Sequence, residues 1–211
     1  MILAVDGASP ALSVALASAD GALAAEASWT SAQRQSAELM PRVLGLLADA
    51  GHDVADLTAV AVGTGPGSFT GLRVAMALGK GLAFGRGLPM VGVPSLAAWL
   101  VQVPSAAAAV ARAGAREAYV LSRGAEVVRL VDRDQLADFV AGTPVVASAE
   151  LADAFGLDGA SEPAAGPAIA LLASARLAEA PEGDDLARLE PMYLRAPRGV
   201  TSTSEGAVRW L

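Results

Sequence analysis

The 211-residue chain has no cysteine, no asparagine, a single lysine (Lys80) and a single histidine (His52). Without cysteine there are no disulfides, iron–sulfur clusters, thiolate zinc sites or cysteine nucleophiles. One histidine excludes a metal centre built from several imidazoles, and His52, after Gly51 in a polar stretch, reads as a solvated loop residue. No apolar run reaches about 18 residues without a polar break, so no transmembrane helix is expected. The opening Met1-Ile2-Leu3-Ala4-Val5-Asp6 reads as a strand and not as a basic leader, so no signal peptide is expected either. A cytoplasmic protein is the resulting expectation. Positive charge is also scarce: 15 Lys and Arg face 22 Asp and Glu, giving a net charge of −7. The cations are scattered arginines with no stripe to neutralise phosphates. Any dealing with nucleic acid is therefore expected to pass through another subunit.

What the chain does have is apolar material. Hydrophobic residues make up 54%, enough for a packed core, which excludes global disorder. Much of it is alanine, consistent with a GC-rich genome. Residues 2–5, 12–16 and 23–29 read as strands, the last two joined by Asp20-Gly21, a dipeptide suited to tight hairpins. Residues 34–50 switch to helical spacing, with Leu39, Val43, Leu46, Leu47 and Ala50 on one side and Gly51 as the stop. A strand at 57–62, a glycine-rich loop, a helix to about 85, a strand at 90–93 and a helix at 95–101 complete this half. The second half reads as a weaker echo. Strands are expected at 107–112, 117–122 and 126–131, then a helix at 133–140 and a strand at 144–147. Helices at 149–155 and 168–180 follow. An antiparallel meander followed by αβ units makes a mixed sheet covered by helices. Two copies suit an α/β, actin-like fold, a duplicated ribonuclease-H-like core in two lobes. The expected division is 1–103, 104–197 and a mobile tail at 198–211.

Each chemistry this architecture supports needs particular residues. A two-metal nuclease needs several converging carboxylates. Asp6 and Glu38 are placed for that, but the next strand opens onto Gly63 and Thr64. An ATPase needs two phosphate loops with acids that hold Mg²⁺. Asp6-Gly7-Ala8-Ser9 fits one, while the counterpart near residues 111–115 has Arg112 and Arg116 and no acid. The alternative is that Asp6 only organises a turn. Gly63-Thr64-Gly65-Pro66-Gly67-Ser68 stands between strand and helix, where amides favour anions. Ser68 occupies the third glycine position of a dinucleotide loop, however, and Pro66 removes an amide. Ser68 is not in a G-x-S-x-G elbow. No catalytic, metal or cofactor residue is therefore assigned.

After the loop, Gly71, Ala75, Gly79 and Ala83 recur every four residues and share one side of a helix. Glycine inside a helix costs roughly 1 kcal/mol relative to alanine, which points to a use. The stripe lets another backbone come close, either a helix of a second subunit or the chain's own sheet. Leu72, Met76 and Leu82 lie beside it. Under the first alternative, Gly79→Leu blocks pairing and leaves the fold intact.

The run from Gly63 to Val74, Gly63-Thr64-Gly65-Pro66-Gly67-Ser68-Phe69-Thr70-Gly71-Leu72-Arg73-Val74, continuing through Gly79-Lys80-Gly81-Leu82-Ala83, resembles the signature of the TsaB (YeaZ) family. These are bacterial subunits of the machinery that makes N6-threonylcarbamoyladenosine at position 37 of tRNA. Residues 2–6 and 12–16, Ser36-Ala37-Glu38-Leu39-Met40-Pro41, Arg116-Glu117-Ala118-Tyr119 and Pro191-Met192-Tyr193-Leu194-Arg195 also resemble the family, to about Pro197. The chain departs from the pattern in Asp6-Gly7-Ala8-Ser9, where the family has Asp-Thr-Ser. It departs again at Arg112, where an Asp is usual, and at Gln35, where a His is common. The resemblance implies a non-catalytic scaffold that pairs with the catalytic paralogue TsaD, which carries the ATP and metal. It also implies a TsaE-type ATPase in the assembly, a homodimer when alone, and tRNA met only through the complex. The implied interface is the surface of the first two helices, here Glu38, Leu39, Arg42, Val43, Leu46, Gly71, Leu72, Ala75, Met76, Gly79 and Ala83. An active ATPase or sugar-kinase-like enzyme, or a protease acting on its paralogue, is the alternative.

Overall fold

The computed structural model describes residues 1–31, 34–140, 142–157, 160 and 163–194. The tail expected at 198–211 and Arg195 lie outside the described residues. Strands β1 (Ile2–Asp6), β2 (Ala11–Ala17) and β3 (Leu23–Thr30) form the expected antiparallel meander. Gly21, at φ +84°, makes the tight turn between the last two. Helix α1 (Gln35–Asp49) follows and ends at Gly51, whose φ is +76°. A 3₁₀ turn at Val54–Asp56, capped by Asp53, was not legible as an element in the sequence. Next come β4 (Ala59–Gly63), α2 (Phe69–Arg86), β5 (Met90–Val93) and α3 (Ser95–Gln102). β4 runs parallel to β1 and β5 parallel to β4, so the sheet order is β3-β2-β1-β4-β5.

The second sheet repeats this plan with one strand fewer. β6 (Ala108–Arg112), β7 (Glu117–Ser122) and β8 (Arg129–Asp132) form a meander. After α4 (Arg133–Val140), β9 (Val145–Val146) joins parallel to β6, giving the order β8-β7-β6-β9. α5 (Ala149–Phe155) and α6 (Gly166–Glu179) complete the described elements.

Alternation along the strands sets the layers. Leu3, Val5, Leu12, Val14, Leu16, Val60 and Val62 face α1 and α2 and pack on Leu39, Val43, Leu47, Ala75 and Met76. The opposite face presents smaller side chains, Ala4, Ala15, Ala17, Ala59 and Ala61. There α6 lies down through Ile169, Ala170 and Ala173. The same cluster runs through Trp99 of α3 to Ala109, Ala111 and Tyr119 of the second sheet, so one apolar core joins both sheets.

α6 falls within the stretch expected as the second lobe, 104–197, and it packs on the first sheet, where the chain stays afterwards. Arg176 donates to the carbonyl O of Gly92 at 2.7 Å and pairs with Asp184 at 2.6 Å. Asp184 accepts from the amide of Gly92, and its own amide bonds the carbonyl of Met90, both at 2.7 Å. The amide of Met192 reaches the carbonyl of Thr64 at 2.7 Å. An alanine-rich helix shows which of its faces is buried, but not which sheet buries it.

Candidate functional site

Asp6 ends β1 and is 2% exposed. Its Oδ1 accepts from Ser95 Oγ at 2.8 Å and from the amide of Ala8 at 3.2 Å. Its Oδ2 accepts from Trp99 Nε1 at 3.0 Å. Burial pushes the carboxyl above the ordinary aspartate range, and the Trp99 and Ser95 hydrogen bonds oppose that shift. The turn-organising alternative for Asp6 is thus the one the geometry carries, with α3 supplying the partners.

The glycine-rich loop is bonded inward. The amide of Thr64 donates to the carbonyl of Val93 at 2.8 Å, that of Gly65 to Ser95 Oγ at 3.0 Å, and that of Ser68 to the carbonyl of Ala8 at 2.7 Å. Ser68 Oγ caps α2 by accepting from the amide of Gly71. A Cβ at Gly67 would strike the carbonyl of Ala8, and one at Gly71 the carbonyl of Gly7. The glycines are needed because two stretches of backbone meet here.

Between the sheets lies a cleft of about 540 Å³, lined by Ser9, Ser68, Phe69, Trp99, Arg112 and Glu150, among others; Asp6 does not line it. Arg112 and Glu150 form an ion pair on its second-sheet side at 3.1 Å. Among the described residues, no group of three or more His, Asp or Glu stands where it could hold a metal ion.

The small-residue stripe on α2 is taken up inside its own lobe. A Cβ at Gly79 would stand 2.7 Å from Val62 Cγ1 and 2.8 Å from Met90 Cε. Gly71, Leu72, Ala75, Met76 and Ala83 are buried with it, as are Leu39, Val43 and Leu46 of α1. These nine residues are core, and Gly79→Leu would test the core and not pairing. The reason is geometric: β4 and β5 rise beneath α2 at Gly79, the Gly7 carbonyl meets it at Gly71, and only hydrogen atoms at these two positions allow those approaches. Of the expected interface residues, Glu38 and Arg42 remain toward solvent, and both also hold Trp29 of β3. Trp29 Nε1 donates to Glu38 Oε2 at 3.2 Å, and the Arg42 guanidinium lies 4.9 Å from the Trp29 ring.

A second small-residue stripe, two positions on, was missed. Ala77, Gly81 and Gly85 are exposed, and nothing lies within 4 Å of a Cβ built at Gly81 or Gly85. Gly45 on α1 is equally bare. Beside this stripe Phe84 is 84% exposed, and on α1 Leu44 is 45% exposed. At the start of α2, the Arg73 guanidinium lies 3.9 Å from the Phe69 ring, which packs on Tyr193, and donates to the Tyr193 hydroxyl at 2.9 Å. The clue was available: the run Gly79-Lys80-Gly81 puts glycine on opposite helix faces, and only one can be the sheet face.

The fold and the cleft define an actin-like, duplicated ribonuclease-H-like protein in which the first-strand aspartate is tied into the core. The family described as "TsaD: tRNA N6-adenosine threonylcarbamoyltransferase" matches residues 29–182. An uncharacterized protein of Mycobacterium tuberculosis strain H37Rv is 36% identical over 205 residues, covering 93% of this chain and 92% of its own. The Escherichia coli tRNA threonylcarbamoyladenosine biosynthesis protein TsaB is 41% identical over 95 residues, 45% of this chain and 40% of its own. The structure of YeaZ from Pseudomonas aeruginosa superposes with a TM-score of 0.69 at 26% identity, covering 92% of this chain and 99% of that one. The chain belongs to this family, on its TsaB (YeaZ) branch, and to tRNA threonylcarbamoyladenosine biosynthesis. Among the described residues no helix is long and apolar enough to cross a membrane.

Proposed function

We propose that this chain is the non-catalytic scaffold of a cytoplasmic complex that forms threonylcarbamoyladenosine in tRNA, and that it pairs with a TsaD-type catalytic paralogue. The observation that carries the reading is the outward face of α1 and α2, where Phe84 stands 84% exposed beside the bare Gly81 and Gly85. A large aromatic next to a backbone-level notch is the kind of anchor that a helical partner covers. The proposed contact set is thus Arg42, Leu44, Ala77, Gly81 and Phe84. Alone, the chain forms a homodimer through the same face. A TsaE-type ATPase joins the assembly, and tRNA is met through the complex. ATP and metal reside on the partner: here both oxygens of Asp6 are occupied, and Arg112 pairs with Glu150 where the second phosphate loop would need an acid.

Light scattering on size-exclusion fractions, with and without the TsaD-type partner, tests the pairing. Phe84→Glu should abolish co-elution while circular dichroism and melting stay as in wild type. Co-elution at undiminished affinity sinks the assignment of the face. Calorimetry with Mg-ATP on the chain alone should show no binding. Micromolar binding would restore the ATPase or kinase-like reading.

A further inference from the structure

The two edges of the first sheet are treated differently. At β5, the segment around Asp184 covers the strand, bonding Met90 and Gly92. At the other edge β3 is open among the described residues. It is eight residues long, stands last in the order, and among the described residues pairs only with β2. Alternate residues of such a strand direct N–H and C=O groups away from the sheet, a template for another strand. Lysine and proline, two usual protections, are absent from Leu23–Thr30, and the register irregularity of the strand sits near its start, at Ala24. The strand carries one charge, Glu26, in its middle.

Glu26 and Ser28 lie on the face turned to α6, since Ala25, Ala27 and Trp29 pack on the α1 side. Glu26 lines two hollows on that face. One, of about 460 Å³, is bordered by Leu23, Val101, Pro167 and Leu171. The other, of about 240 Å³, is bordered by Ser13, Ser28 and Ala164. Leu23 and Leu171 are each 49% exposed, apolar surface left open next to the Glu26 carboxylate.

We propose that β3 accepts an added strand from a partner protein, an extended segment with a cationic side chain opposite Glu26 and an apolar side chain two positions away for the Leu23–Leu171 hollow. Backbone bonding along the open edge supplies the adhesion, and the paired hollows select the side chains. A second copy of this chain is the poorer occupant. Antiparallel pairing of β3 with itself brings the two Glu26 carboxylates close to the dyad, and like charges across a strand pair repel.

The test uses the full-length ¹⁵N-labelled chain and a capped nine-residue peptide. The peptide alternates threonine with valine and carries arginine and leucine two positions apart. Saturable shifts at residues 23–30 are expected. A peptide with glutamate in place of arginine should bind about tenfold more weakly. Glu26→Arg, at an exposed position, should reverse that preference. Absence of saturable shifts in β3 overturns the proposal, as does equal binding of both peptides by wild type. Shifts in β3 that arise merely on concentrating the chain overturn it in favour of self-pairing.

Discussion

The indole N–H of Trp99 and the carboxylate of Asp6 meet at 3.0 Å, joining the helix that leads into the second lobe to the first strand of the first lobe. Ser95, one turn earlier on α3, holds the other oxygen of the same carboxylate at 2.8 Å. One buried acid thus fixes where the linking helix starts and how its tryptophan meets the cleft. Asp6 is thereby a structural anchor between β1 and α3.

A pH signature follows from that anchor. The folded-state pKa of Asp6 lies above its ordinary value of 3.8, with burial the leading cause. The folded chain therefore binds the proton more tightly than the unfolded one, and this contribution to stability is present at low pH and is lost as pH rises through the folded pKa. Urea unfolding of wild type and Asp6→Asn across that range should show the difference moving in the variant's favour as pH climbs from 3.8. A difference that moves the other way would contradict the assignment of burial as the dominant influence.

Gly79 and Gly81 provide a paired test of which face of α2 is core. Gly79→Ala places a methyl against Val62 and Met90 and should cost about 1–3 kcal/mol, partly offset by the better helix propensity of alanine. Gly81→Ala meets nothing and should be neutral or stabilising by up to about 1 kcal/mol. Chemical denaturation midpoints of the two variants decide it; equal effects would mean the helix is rotated from the described orientation.

At Gly67 the obstacle is backbone, not the flexible end of a side chain. The carbonyl of Ala8 cannot move without releasing the amide of Ser68, which it holds at 2.7 Å. Gly67→Ala should therefore cost about 3 kcal/mol or more, with the loss visible as a lowered melting temperature. A melt within error of wild type would refute the close approach of the two loops.

Asp184 is the clasp that closes the β5 edge. Asp184→Ala removes the acceptor of the Gly92 amide and the partner of Arg176 together. A loss of about 1–3 kcal/mol is expected, together with faster hydrogen exchange at Gly92. Unchanged protection at Gly92 would show that the strap is held by its other contacts.

Much of the fold could be read from periodicity. The Leu12-Val14-Leu16 alternation, the Asp20-Gly21 turn and the Leu39-Val43-Leu46 stripe all became the elements they announce, because each is decided within a few residues. The same holds for the repeated meander, which pointed to two related sheets. The 3₁₀ turn at Val54–Asp56 escaped because a single turn has no period to detect. The inward bonding of Asp6 was legible only as one of two alternatives, since Ser95 and Trp99 lie 89 and 93 residues away in sequence.

By itself the sequence determined the order and kind of the strands and α-helices, the lack of thiol and multi-histidine chemistry, and a helix with glycine on a four-residue period. Tertiary structure alone decided what those glycines approach, which helix face is left to solvent, and which sheet α6 covers. The physical reason is that spacing along a helix specifies that something must come near, while its identity depends on the strands that pack beneath. Here Val60, Val62 and Met90 occupy that place, so Gly79 is interior and the neighbouring Gly81 and Phe84 are surface.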